Sequence, residues 1–303
     1  MQDDLQYQTI RTPKAAAAVA IKGFFMGVAE IIPGVSGGTI ALVLGIYPRF
    51  IDSVRSYTPS SVLHFLRSLP KKEARGEAAR AIHLDFVVPL LVGMGIALLA
   101  LAKPMKSLLA DHPNQMNAIF FGMIVVSLYV PVARMKKRSL LHLVVGIAGL
   151  VVAYIALGVP IAAAEKANLP FLFFAGGIAI CAMVLPGVSG SYLLKALGQY
   201  EHILTAIHER DLVTVAVVGA GIIIGLATFA RVVSWLLHHH HDLTLAALTG
   251  LMLGSLRTVW PFKDAMGQSV APHADFVLWG LVLAGALVVG ALIFADHKYG
   301  GTD

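Results

Sequence analysis

Pro33-Gly34-Val35-Ser36-Gly37 recurs, residue for residue, as Pro186-Gly187-Val188-Ser189-Gly190, and each copy sits inside a long apolar stretch. Proline cannot donate a backbone hydrogen bond and glycine permits a tight turn, so each copy breaks helical backbone. At membrane depth such a break is tolerated only where protein buries it or where it lines a cavity. Paired breaks in two halves of one chain point to a ligand held near the bilayer midplane. The alternative is that both turns are only helix breaks packed on each other.

Composition sets the solvent. The chain has 303 residues, 57% hydrophobic and 13% charged, with mean hydropathy +0.78. A soluble domain carries about a quarter charged residues, so this is an integral membrane protein. The single cysteine, Cys181, excludes an intramolecular disulfide and any cysteine-cluster metal site, and its apolar surroundings suit core packing. The N-terminus is polar and acidic, with no cleavable signal pattern. A net charge of +6 calls for no nucleic acid, because in a membrane protein the distribution of Lys and Arg matters more than the total.

Apolar segments run over roughly 86–102, 117–133, 139–158, 212–230, 243–260 and 276–295, giving six expected crossings. The regions 15–55 and 170–208 hold the repeated motif near their middles. Each is about 40 residues, or ~60 Å as one helix, too long for a single crossing. Each must turn back at its Pro-Gly break, with arms that either span fully or re-enter halfway. The chain therefore divides into 1–158 and 159–303, each a helical hairpin followed by three transmembrane helices. Three is odd, so the second half starts from the opposite side, and the expected fold is all-α with two inverted-topology repeats. Three further matches carry the repeat beyond the motif. Phe121–Leu128 aligns with Thr249–Leu256, Gly93-Met94-Gly95 with Gly219-Ala220-Gly221, and Gly45-Ile46-Tyr47 with Gly198-Gln199-Tyr200.

Charge orients the chain. The insert 56–83 carries Arg67, Lys71, Lys72, Arg75 and Arg80, and the loop after Pro131 carries Arg134, Lys136, Lys137 and Arg138. Two crossings separate them, so they share a side, which the positive-inside rule makes cytoplasmic. Both termini fall there too, while the linkers 159–169 and 261–275 fall outside and are sparsely basic.

Chemistry gathers at the breaks. Ser36 and Ser189 stand at N-cap positions of the helices that follow. The next amides, of Gly37, Gly38 and Thr39 and of Gly190, Ser191 and Tyr192, lack intrahelical partners and carry the positive end of a helix dipole. Pro33, Gly34, Pro186 and Gly187 make the turns, and the whole suits a phosphate or carboxylate. Glu30, just before Pro33, opposes its own helix dipole, which suits a proton carrier or cation ligand; the alternative is a hydrogen-bonding core residue. Lys195 would neutralise a phosphate or else snorkel outward, and Arg231 is a further phosphate candidate set against an anchoring role, as is Lys22. Arg49 and Arg257 are weaker candidates. The run His238–His241 reads as a solvent-facing cytoplasmic loop, and no metal or cofactor is implied. No nucleophile–base pattern, P-loop or dinucleotide fingerprint appears, so the chain is not read as an enzyme.

The stretch Gly27-Val28-Ala29-Glu30-Ile31-Ile32-Pro33-Gly34-Val35-Ser36-Gly37-Gly38-Thr39, with Gly45-Ile46-Tyr47 and Leu185-Pro186-Gly187-Val188-Ser189-Gly190-Ser191, resembles the polyprenyl-phosphate transporter family of the PopT type. The resemblance covers nearly the whole chain. It implies a bacterial inner-membrane protein that returns undecaprenyl phosphate from the outer to the cytoplasmic leaflet. It also implies Glu30, Ser36, Gly37, Gly38, Thr39, Ser189, Gly190 and Ser191 as motif residues; Lys195 departs from the family pattern. Inward movement of the headgroup opposes an interior-negative potential by about 2.3 kcal/mol per charge per 100 mV, which a co-moving proton or sodium ion would offset.

Two other readings compete. An undecaprenyl pyrophosphate phosphatase would carry an arginine inside the motif and an acidic pair near a serine, whereas glycines follow Ser36 and Ser189 here. An ion-coupled transporter of a small soluble anion would enclose its site fully.

Overall fold

The computed structural model describes residues 7, 9–10, 12–31, 36–70, 72–158, 168–264 and 267–299. Two stretches share one plan. In the first, α1 (Pro13–Ile31) is followed by the short α2 (Gly37–Val43) and by α3 (Tyr47–Ser56). The insert forms α4 (Pro59–Ser68) and α5 (Lys72–Ala81), and then come α6 (Leu84–Asp111), α7 (Pro113–Ser127), its continuation α8 (Tyr129–Arg134) and α9 (Leu140–Ala156). In the second, α10 (Leu169–Val184), α11 (Gly190–Ala196) and α12 (Tyr200–His208) precede α13 (Leu212–His239), α14 (His241–Ser255) and α15 (Phe276–Tyr299).

Among the described residues, four spans are long and apolar enough to cross a bilayer: Leu84–Asp111, Pro113–Arg134, Leu212–His239 and Phe276–Phe294. Large apolar side chains such as Leu99, Ile223 and Phe276 point outward from them, as expected where lipid rather than water is the solvent. The chain is thus a multi-pass α-helical membrane protein. Of the six expected crossings, those at 139–158 and 243–260 are helices of only 17 and 15 residues, below the usual length for a span.

The helix expected at 212–230 runs on to His239, and this corrects the reading of the histidine run as a loop. His238 and His239 form the last turn of α13, where their Nδ1 atoms lie 2.7 and 3.0 Å from the Ser234 and Trp235 carbonyls. The His239 ring also stacks on Trp235 at 5.1 Å. Histidine is an ordinary helix former, so these local contacts carry the helix on until His240 breaks it. At the other end Asp211 caps α13, and the Thr214 hydroxyl and amide that bond to it hold its carboxyl below the ordinary range.

Glycines set how the helices approach. The tenth residues of α7 and α15, Gly122 and Gly285, press against the carbonyls of each other's seventh residues, Val282 and Ile119. The same register recurs between α14 and α9, where Gly250 and Gly149 face the carbonyls of Gly146 and Ala247. The tenth residues of α6 and α13, Gly93 and Gly221, make the same kind of contact with α1 and α10, on the carbonyls of Ala20 and Phe173. Gly93 therefore corresponds to Gly221, two residues from the alignment read in the sequence; Gly95 and Gly219 touch nothing that a methyl would meet. A leucine at Gly285 would drive into the Ile119 backbone. We expect Gly285→Leu to cost roughly 1–3 kcal/mol or more, seen as a lowered unfolding temperature in detergent.

Gly45 and Gly198 match as the sequence suggested. Both are left-handed, with φ of 75° and 69°, and both end a seven-residue helix in the same pair of bonds. Ile46 N bonds to Ala41 O and Gln199 N to Leu194 O, the six-to-one bond that closes a helix behind a left-handed glycine.

Candidate functional site

The two breaks meet. Ser36 is extended, with φ −116° and ψ 148°, and caps α2 by accepting from Thr39 N at 3.3 Å. Its hydroxyl also donates to Leu185 O at 2.9 Å. Gly187 N in turn donates to Thr39 Oγ1 at 2.8 Å and Ser36 Oγ at 3.2 Å. The side chains of the first break thereby satisfy the unwound backbone of the second, which lies about 150 positions away in the chain. Ser36 and Thr39 are each 1% exposed. Gly38 makes the approach feasible, because a methyl there would overlap Val184 O.

Gly187 has φ +85° and sits against α14, where a Cβ would lie 2.8 Å from Met252 Cα. Only glycine serves both demands. Pro186 makes the turn with it. Pro33 and Gly34, the corresponding turn residues, lie outside the described residues.

The first amide of α2 already holds a carboxylate: Gly37 N donates to Glu30 Oε1 at 2.7 Å. The position read in the sequence as an anion site is thus filled by the chain's own carboxyl group. Ser189 stands at the N-cap of α11 but makes no capping bond, because its hydroxyl pairs with Ser191 Oγ at 3.0 Å. Gly190 is buried against the Ala179 carbonyl, while Ser191 and Lys195 are exposed. The Lys195 ammonium lies 4.8 Å from the centre of the Tyr200 ring. Arg231 is exposed on α13, one turn before Ser234. Lys22 donates to Leu44 O at 3.0 Å, near the end of α2, and Arg257 donates to Tyr154 O at 3.1 Å beside α9.

A second polar centre was missed in the sequence. Asp52 accepts from Tyr7 at 2.7 Å and from Ser234 at 2.6 Å, and Ser234 accepts from Arg55 at 3.0 Å. Asp85 accepts from Ile10 N at 2.8 Å and lies 3.6 Å from Arg49, whose guanidinium covers the Phe86 ring at 4.7 Å. These contacts tie the N-terminal segment, α3, α6 and α13 together. The available signal was Arg49, Asp52 and Arg55 at intervals of three on one short helix, which places them on one face. Asp52→Ala should remove the acceptor that the Tyr7 and Ser234 hydroxyls share, at a cost of about 1–3 kcal/mol, measured by unfolding in detergent.

A helical membrane protein in which the backbone at Pro186-Gly187 is held by Ser36 and Thr39, at the start of another helix, has an arrangement that transporters use to hold a ligand inside the bundle. A family model described as undecaprenyl phosphate translocase-like matches residues 26–277, and the chain belongs to that family. It is 37% identical over 259 residues to a polyprenyl-phosphate transporter of Vibrio cholerae, covering 85% of this chain and 82% of that one. It is 31% identical over 258 residues to a polyprenyl-phosphate transporter of Staphylococcus aureus, covering 80% and 85% respectively. These relatives are transporters, and the chain groups with them rather than with enzymes. No solved structure is significantly similar to it.

Proposed function

We propose that this protein carries undecaprenyl phosphate from the outer to the cytoplasmic leaflet of a bacterial inner membrane, recycling the lipid carrier by ion-coupled alternating access. The observation that carries this reading is the clasp between the two breaks, Ser36 and Thr39 on Leu185 and Gly187. A phosphate monoester of charge about −1.5 to −2 needs a dipole-lined polar site, and its tail can remain in lipid while the head crosses.

The halves 1–158 and 159–303 are inverted repeats, each a re-entrant hairpin (15–55 or 170–208) followed by three crossings. The shared glycine register and the matched left-handed ends at Gly45 and Gly198 support this. The two short helices, α9 and α14, would cross with local thinning of the bilayer. Both termini and the insert 56–83 are cytoplasmic. Exchange of conformations between the repeats supplies inward- and outward-facing states.

Glu30 is the coupling group. Its carboxylate occupies the Gly37 amide that the phosphate would use, so headgroup and carboxylate compete for one donor. Proton uptake by Glu30 weakens its hold on the amide, so that the more strongly charged phosphate can displace it; proton loss restores that hold. Gly38, Ser189, Gly190, Ser191 and Lys195 complete the headgroup path, and Arg231 lies toward the cytoplasmic end of α13.

Reconstitution with labelled undecaprenyl phosphate tests the reading. Ser36→Ala should slow leaflet exchange about tenfold or more, because it removes the hydroxyl donor to Leu185 O and one of the two acceptors of Gly187 N. Ser189→Ala should slow exchange less. Exchange unchanged in both variants would remove the breaks from the transport path.

A further inference from the structure

A cavity of about 280 Å³ opens between α9 and α14, away from the two breaks. Gly146 and Gly250 line it, and Leu143, Ile147, Leu150 and Leu253 wall it. Thr249 also faces it, but its hydroxyl donates to Leu245 O within its own helix, which leaves the wall apolar. Its charged and ring-nitrogen groups gather at one end, in Arg138, Ser139 and His142. Arg138 donates to Val132 O at 2.9 Å through one of the five N–H groups a guanidinium carries. His142 meets Ser139 through Nδ1 at 2.7 Å.

We propose that this groove holds the first isoprenoid units of a polyprenyl phosphate whose phosphate rests against Arg138 and His142. The site is where the carried lipid meets the cytoplasmic leaflet. The inference rests on the transport reading above and adds a second binding place to it.

Three observations choose this occupant. The first is charge. Arg138 lines the groove, and Arg134, Lys136 and Lys137 precede it within the same short basic run. Asp242 accepts from the Lys136 and Lys137 amides at 3.1 and 2.8 Å, which pins this basic loop to the start of α14. A phosphate monoester brings more negative charge to such a mouth than a phosphodiester lipid does. The second is form: a wall without polar groups beside a basic mouth matches a lipid tail beneath an anionic head and does not match a soluble anion. The third is continuity. Gly250 and Leu253 of α14 line the groove, while Met252 and Ser255 of the same helix abut Gly187 of the second break. One helix thus presents one side to the tail groove and another to the headgroup site.

Photo-cross-linking tests the groove on the intact protein in phosphatidylcholine nanodiscs. The probe is undecaprenyl phosphate bearing a diazirine on an isoprenoid unit near the phosphate. Adducts should fall on α9 and α14 and be competed by unlabelled undecaprenyl phosphate, but not by phosphatidylglycerol at equal concentration. Ile147→Trp fills the groove from an exposed position, so the fold should tolerate it. It and Arg138→Gln should each lower adduct yield about tenfold. Adducts confined to other helices, unchanged yield in Ile147→Trp, or equal competition by phosphatidylglycerol would overturn the proposal. Leaflet exchange by the unaltered protein, measured separately in proteoliposomes, keeps the two readings apart. Exchange without groove labelling overturns the groove alone; groove labelling without exchange upholds the groove and overturns transport.

Discussion

Gly38→Ala should abolish leaflet exchange and lower stability. The new Cβ would overlap Val184 O and stand 3.3 Å from the Leu185 carbonyl carbon, and both are backbone atoms of the opposite break. Backbone at a turn cannot rotate aside as a side-chain tip can, so the two breaks must move apart. Separation would strain or break the bonds from Ser36 to Leu185 O and from Gly187 N to Thr39 and Ser36. Overpacking costs about 1–3 kcal/mol, and each lost buried hydrogen bond adds roughly 1 kcal/mol, so a total of about 3–5 kcal/mol is expected. The control is Gly95→Ala. A methyl at Gly95 meets nothing within 4 Å, and alanine is the better helix former, so that variant should be neutral or gain up to about 1 kcal/mol. Thermal unfolding in detergent and exchange in proteoliposomes, run on both variants, decide the matter. Exchange retained by Gly38→Ala would show that the clasp is dispensable.

The second large effect is functional rather than structural. Glu30→Gln keeps an oxygen that can accept from Gly37 N, so the 2.7 Å contact survives in neutral form and the unfolding temperature should change little. What is lost is the exchangeable proton. Without a compensating cation, inward movement of the phosphate bears the full electrical cost, about 2.3 kcal/mol per charge per 100 mV. That corresponds to roughly fifty-fold in rate for each uncompensated charge. The variant should transport slowly in energised vesicles, and an imposed pH gradient should leave its rate unchanged. In de-energised vesicles the deficit should shrink. A variant whose rate still follows the proton gradient would remove Glu30 from the coupling role.

These two residues show how far local chemistry reaches. Glu30 stood out because a carboxylate inside an apolar run is costly wherever it lies. Its partner, Gly37 N, was legible as an anion-binding amide. That the one fills the other was not legible, because it depends on the path of residues 31–36 between two helices. Gly38 read as backbone exposed to a ligand; in the folded chain the approaching group is Val184 O. The histidine run misled because a tract of polar rings beside a predicted span resembles a loop, whereas the bonds to Ser234 and Trp235 continue the helix.

Sequence alone determined the membrane, the Pro-Gly break at 186–187 and the family. Each of these follows from hydropathy over a short window, or from dihedral freedom at one or two residues, which neighbours along the chain suffice to express. Tertiary structure decided that Ser36 and Thr39 face the backbone of the other break, that Asp52 gathers Tyr7 and Ser234, and that Gly93 packs on Ala20 and Gly221 on Phe173. Those outcomes depend on which helix faces come within 3 Å of each other, and that distance is set by small residues scattered across the whole chain.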